Sequence, residues 1–354
     1  MTPLGQIIAA RIEASGPITL ADYMAECLLH PQYGYYTTRP PFGRTGDFIT
    51  APEISQMFGE LLGLALAQSW LDQGAPARFT LAECGPGRGT LMADVLRATR
   101  GVPGFHAAAE IVLIEASPAL RAEQTARLQD YPITHVDHPG ALADQPLFLL
   151  ANEFFDALPI RQFHFDGRVW RERLVGLRGG ALTFGLSDPL PQPPQGKAFA
   201  DAEPGRVVEL CPAAHALVQP IRQRIATHGG AALIVDYGGW RSSGDTFQAL
   251  RRHSFADPLA EPGQADLTAH VDFEAVADAA ALPYLFDTQG AVLIRLGIEA
   301  RAARLAQSLT GAALETHLAA HRRLTHPAEM GSLFKVLGLH APGTPPLPGF
   351  AQTR

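Results

Sequence analysis

Apolar positions near the start of the chain recur at helical intervals. Leu4, Ile8 and Ile12 share one helix face, and Gly16-Pro17 closes that segment. Thr19 and Asp22 have the capping-box spacing that opens a second helix, TLADYMAECLLH. The next stretch, PQYGYYTTRPPFGRTGDFIT, has no clear period. A loop of that length usually has a function, and its aromatic residues Tyr33, Tyr35, Tyr36 and Phe42 argue against disorder. A third helix is predicted from near Pro52 to Asp72, with Thr50 and Glu53 at the spacing of a second capping box.

From Phe79 onward the period changes. Short apolar runs (FTLAEC, EIVLIEA, PITHV, PLFLLAN and AALIVDYG) appear, with helical stretches between the first pairs. This βαβ alternation predicts a parallel sheet. Residues 160–186 switch to strict alternation with DG and GG turn signals, which predicts an antiparallel hairpin inserted after the fourth strand. Its arginines (Arg161, Arg168, Arg171, Arg173, Arg178) read as a solvated face or a docking surface. A Pro-rich linker, DPLPQPPQG, follows. Residues 240–272 form a second insertion, and a helix is expected from Asp272. GAVLIRLG reads as a further strand and APGTPPLPGF as a Pro-rich tail. No internal repeat is visible.

Composition narrows the class. A chain of 354 residues with 47% hydrophobic and 18% charged residues can bury a substantial core, as two domains or one decorated domain. The formal charge of −7 excludes a general nucleic-acid binder, which needs a basic surface. Cys27, Cys84 and Cys211 are scattered and lack a CxxC spacing, so a reducing compartment is expected, with no disulfide framework or zinc knuckle. The histidines have no metal-ligand spacing, and no metal is expected. No secretory signal is visible, and LLGLALAQSWL is too short to cross a bilayer. A soluble intracellular protein is expected.

The chemistry concentrates in FTLAECGPGRGTLMADVLR, an apolar strand, a glycine turn and a helix. In a dinucleotide fingerprint the third glycine of GxGxxG lets the helix pack against the strand, but that position is Thr90. No Gly-Lys-Ser/Thr follows, so this is no phosphate loop. The pattern is instead Glu83, Gly85, Gly87 and Gly89, with a second strand ending in Glu115, whose carboxylate can accept both hydroxyls of a ribose. An adenosine with an amino-acid tail fits this set better than a pyrophosphate, and S-adenosylmethionine is the obvious candidate. The alternative is that the glycines only make a tight strand-to-helix turn.

Further stretches carry a resemblance. HPQYGYY, GDFITAPEISQMFGE, LIEASPALR, ANEFFDALPI, DTFQALRRHSFADPL, ADLTAHVDF and MGSLFKVLGL, together with AECGPGRGTL, resemble the MidA family of S-adenosylmethionine-dependent methyltransferases over nearly the whole chain. The resemblance implies an α/β fold built on a class I (Rossmann-like) methyltransferase sheet. Residues 1–75 would form an N-terminal helical lid. Residues 76–354 would form the methyltransferase domain, with insertions at about 160–205 and 240–272 shaping a protein-substrate cleft. It also implies an arginine of a respiratory complex I subunit as target, and a role in complex assembly. The expected location is a bacterial cytoplasm, or the mitochondrial matrix for a processed organellar chain.

On that frame the candidate residues take roles. Glu153 and Asp156 leave the fourth strand at its crevice end, where a carboxylate can clamp a guanidinium bidentately and take up its proton; the alternative is a turn cap and a solvated acid. Asn152 would meet the cofactor from the same loop, and Asp47 with Phe48 would close over it. Asp137 sits where related methyltransferases bind the adenine amine; the alternative is a surface acid. Tyr237 either lines the transfer site or is a core tyrosine. Two other functions compete: an assembly chaperone with a methyltransferase fold, and a Rossmann oxidoreductase, which Thr90 disfavours.

Overall fold

The computed structural model describes residues 1–38 and 50–351, apart from 193, 195, 201 and 253. Its centre is an eight-strand sheet: β1 (Phe79–Cys84), β2 (Ala109–Ile114), β3 (Ile133–Val136), β4 (Leu147–Asn152), β5 (Gly230–Gly239), β6 (Tyr284–Thr288) and β7 (Phe334–His340), with the short strand Val271–Asp272 beside the end of β5. Across the sheet the order is β6-β7-β5-β4-β1-β2-β3. The first five strands are parallel, and β7 runs antiparallel between β5 and β6. Both faces are covered, which explains strands that are apolar almost without interruption. Leu81, Leu113, Phe148, Leu150, Leu233 and Val235 point into one buried cluster, and their neighbours Ala82, Val112, Leu149 and Ile234 into the other.

The expected strand GAVLIRLG is a helix, Gln289–Arg295. An apolar run does not by itself distinguish a buried helix from a strand. Here Gln289 is fully buried and donates to the Leu324 carbonyl (2.9 Å), and Gly290 lies against the backbone of Thr325 and Gly331. The expected third helix is broken at Ser55, into Ala51–Ile54 and α1 (Gln56–Asp72). The Thr50–Glu53 capping box does not form: Thr50 makes no capping bond, and Glu53 accepts from Thr90 Oγ1 (2.6 Å). The box at Thr19 does form, with the Asp22 N–H on Thr19 Oγ1 (3.0 Å). The Pro-rich end folds back, with Leu347 buried in the core and the Phe350 ring beside Gly338.

The expected hairpin is a three-strand meander, Arg161–Phe165, Trp170–Arg178 and Ala181–Leu186. Gly179 and Gly180 both have left-handed φ, as a two-residue hairpin turn requires. Strand Val207–Leu210 pairs with its first strand and Ile18–Thr19 with its central one. Three of its arginines are engaged: Arg161 pairs with Glu172 (2.5 Å), Arg173 with Asp245 (2.7 Å), and Arg171 donates to the Ser187 carbonyl (3.0 Å). The second insertion is a small sheet of Gln248–Arg251, Ser254–Ala256 and Asp266–Thr268. The N-terminal residues divide in their packing. Leu4 to Tyr35 share a core with Val175, Ala249 and Leu267 of the insertions, whereas Met57 to Trp70 share one with the central sheet. No helix among the described residues is long and apolar enough to cross a membrane.

Candidate active site

The parallel strands deliver polar side chains to their carboxyl ends, where an open α/β sheet has its crevice. Glu83 lies near the end of β1, Glu115 just past β2, Asn152 at the end of β4 and Asp236 near the end of β5. Between β1 and the helix Thr90–Thr99 the chain turns on Gly85, Gly87 and Gly89, with φ of +60°, +51° and +77°. L side chains are strained in that region. A Cβ on Gly85 would also come within 2.6 Å of the Phe154 ring.

A cleft of about 230 Å³ lies beside this turn, lined among others by Gly85, Gly87, Glu115, Asp137, Phe154 and Leu158. Glu115 Oε1 accepts from the Ser117 N–H (2.8 Å) and Oε2 from Gln124 Nε2 (3.2 Å), which also donates to the Gly87 carbonyl (2.7 Å). Burial pushes the Glu115 carboxyl up. Asp137 is at the exposed rim, paired with Arg121 (2.6 Å).

A narrow recess of about 30 Å³ shares Gly85, Gly87 and Glu153 with the cleft and is walled by Glu83, Thr90 and Asn152. Glu83 Oε2 and Asn152 Oδ1 are buried there without a hydrogen-bond partner among the described residues. Burial raises Glu83 to about 8, against a Met92 N–H that opposes the shift. Two orphaned acceptors in one recess call for a donor such as an ammonium group. An adenosine over Glu115 with an amino-acid tail in the recess therefore fits the residues present.

The loop after β4 carries the acids. Glu153 has φ +49°, a left-handed conformation rare for glutamate. Its Oε1 accepts from the Ala51 N–H and from Asn152 Nδ2, both at 3.1 Å, while Oε2 accepts nothing among the described residues. Burial, and then the charge of Asp156, lifts Glu153 to about 7. Asp156 does not line the cleft. It is buried behind it with Oδ1 unpartnered among the described residues, lifted to about 6 by burial against a hydrogen bond from Tyr237. Tyr237 packs edge-on against Phe334 and His270, and burial with the charge of Asp156 keeps its phenol well above the usual range.

Of the expected residues, Glu83, Gly85, Gly87, Glu115, Asn152 and Glu153 line the cleft and recess, with Asp137 at the rim. Gly89 starts the helix without lining either space. Asp47 and Phe48 lie outside the described residues. Gln124 and Asp236 escaped the sequence reading. Asp236 had a visible signal, since AALIVDYG ends its apolar run in an acid as FTLAEC does. Gln124 sits inside a helix, where no pattern marks it. Among the described residues no group of three or more His, Cys, Asp or Glu is placed to hold a metal ion.

Residues 61–292 match the model of a protein family described as "Putative S-adenosyl-L-methionine-dependent methyltransferase". The chain is 36% identical to the Protein arginine methyltransferase NDUFAF7 homolog, mitochondrial, of Drosophila melanogaster, over 95% of this chain and 84% of that one. It is 37% identical to Protein arginine methyltransferase NDUFAF7, mitochondrial, of Danio rerio, over 93% and 84%. Among solved structures, a Burkholderia thailandensis protein bound to S-adenosyl-homocysteine superposes with a TM-score of 0.84 at 30% identity, covering 99% of this chain and 94% of that one.

Proposed function

The chain belongs to this family of S-adenosyl-L-methionine-dependent methyltransferases, and from that membership we propose that it methylates an arginine of a protein substrate. The names of the Drosophila and Danio relatives support the arginine. The observation that carries it is Glu153, whose carboxylate is anchored through Oε1 while Oε2 has no hydrogen-bond partner among the described residues, at the junction of cleft and recess.

S-adenosylmethionine, when bound, supplies an electrophilic methyl group. A guanidinium is protonated at any physiological pH and its nitrogen lone pairs are delocalised, so it must be oriented and relieved of a proton. Glu153 would take one edge of its planar fork, and Asp156 behind it would add a second negative group. As the N–C bond forms, the C–S bond breaks and the sulfur leaves as a neutral thioether. The displaced N–H proton goes to Glu153, whose value of about 7 suits a group that accepts it and passes it to solvent. Glu83 and Asn152 would hold the ammonium of the cofactor's amino-acid tail, and Glu115 its ribose.

The protein substrate would approach along an open trough of about 700 Å³ walled by Gly238, Arg323, Glu329, Leu333 and Lys335. Gly238 follows Tyr237, so the trough meets the crevice from the β5–β7 side. The resemblance to the MidA family supports a respiratory complex I subunit as substrate, in a bacterial cytoplasm or a mitochondrial matrix.

The test is mass spectrometry of complex I subunits after incubation with enzyme and isotope-labelled S-adenosylmethionine. Label on an arginine is expected. Glu153→Gln should lower the single-turnover rate by about 100-fold or more with cofactor affinity nearly intact. Label on lysine alone, or a Glu153→Gln enzyme at wild-type rate, would sink this reading.

A further inference from the structure

Asp236 is fully buried in β5 and has no ion-pair partner among the described residues. Its Oδ2 accepts from three successive backbone N–H groups, those of Phe154 (3.2 Å), Phe155 (2.9 Å) and Asp156 (3.2 Å). Its Oδ1 accepts from the Tyr237 N–H (3.0 Å). Three consecutive amides converging on one oxygen form a nest, a concavity made for an anion. This nest begins one residue after Glu153, whose left-handed φ needs an external hold. The Glu153 N–H is bonded to the Val235 carbonyl (2.9 Å), so the strand holding Asp236 grips the loop on both sides of the turn.

We propose that Asp236 is a positioning residue for methyl transfer, clamping residues 154–156 so that Glu153 keeps its left-handed backbone and presents its carboxylate to the cleft. This rests on the reading of Glu153 as the group that receives the guanidinium. Asp236 acts through the loop and lines neither cleft nor recess. Burial, and then the charges of Asp156 and Glu153, push the Asp236 carboxyl well above its usual range, with the Asp156 and Tyr237 N–H bonds opposing the shift. The other titratable groups around this cluster are Tyr237 on β5, Tyr36 from the N-terminal region, Asp266 of the second insertion and Arg323, whose charge reaches Glu153.

Asp236→Asn keeps the shape but turns an NH₂ toward part of the nest, setting donor against donor. In the folded variant kcat should fall by about 100-fold, while the Kd of S-adenosylhomocysteine by calorimetry stays within about tenfold. A lower Tm with unchanged kcat would overturn the proposal and leave Asp236 a structural residue. Should the variant not fold, hydrogen exchange on the wild-type protein with S-adenosylhomocysteine decides. The Phe154, Phe155 and Asp156 amides should be protected as strongly as those of β5, and exchange at open-loop rates overturns the clamp. Failure of the underlying reading looks different: Glu153→Gln would be fully active while those amides stayed protected.

Discussion

Glu83 is a carboxyl that the fold keeps mostly protonated at neutral pH. Burial dominates, and the value of about 8 lies well above that of an exposed glutamate. The sign of its effect on stability follows. A raised folded value contributes stability that is complete below about 4.5, the unfolded value, and is lost as pH rises through about 8. An ammonium placed against Glu83 Oε2 and Asn152 Oδ1 would reverse the preference, because an opposite charge favours the ionised form. Cofactor binding at pH 7 should therefore release close to one proton from Glu83, read from how the calorimetric enthalpy varies with the ionisation heat of the buffer. Glu83→Gln should abolish most of that release. Since Glu153 and Asp156 also titrate near neutrality, at about 7 and about 6, the variant is the necessary control. Equal proton release by variant and wild type would place the ammonium elsewhere.

At the scale of elements, one ion network fastens α1 to two neighbouring helices. Glu60 is 4% exposed in α1 and accepts from Arg97 (3.0 Å) and Arg301 (2.7 and 2.9 Å), which come from two other helices. Burial alone would raise Glu60, but the bonds from Arg301 and Arg97 outweigh it and its value is lowered. Such a group contributes stability above the unfolded value, lost as pH falls through the folded one. Glu60→Ala should cost about 1–3 kcal/mol, the range for removing a buried hydrogen-bonding partner, with both arginines partly exposed to water. The check is a denaturant titration alongside S-adenosylhomocysteine affinity, which should stay near wild type; an unchanged midpoint would show that the network adds nothing. Elements also set how much was legible in the sequence. The five parallel strands announce themselves because both faces of each are covered, and the glycine turn because left-handed backbone selects glycine. The β6–β7 pair was not legible: YLFDT is short and mixed, while GAVLIRLG beside it is more apolar yet helical. The break at Ser55 was hidden as well, since it depends on Glu53 turning to Thr90 rather than capping its own helix. Asp236 bonds only backbone N–H groups, which no side-chain motif records.

Across the whole molecule, charge and shape together constrain the substrate. The chain carries a formal −7, yet the trough beside β5 and β7 presents cations. Glu329 there is paired with Arg322 (3.0 Å), and the Lys335 ammonium donates to the Leu333 carbonyl (3.1 Å). Arg323 is exposed, has no ion pair among the described residues, and lies close enough for its charge to act on Glu153. A cation at the mouth of a site for another cation repels a bare arginine side chain. It becomes favourable when the polypeptide carries an acidic residue beside the target, which meets Arg323 as the guanidinium passes toward Glu153. Electrostatic matching of this kind acts on selection and encounter more than on the chemical step. Arg323→Glu should therefore raise KM about tenfold for an arginine peptide with acidic neighbours, and lower it for one with lysine neighbours. Single-turnover rate at saturating peptide, and S-adenosylhomocysteine affinity, should stay within about twofold. Salt should shrink both KM effects, since exposed charges are screened beyond a Debye length of about 8 Å. If Arg323→Glu changes neither KM at low salt, the substrate does not run along this trough, and the protein must meet its target on another face of the crevice.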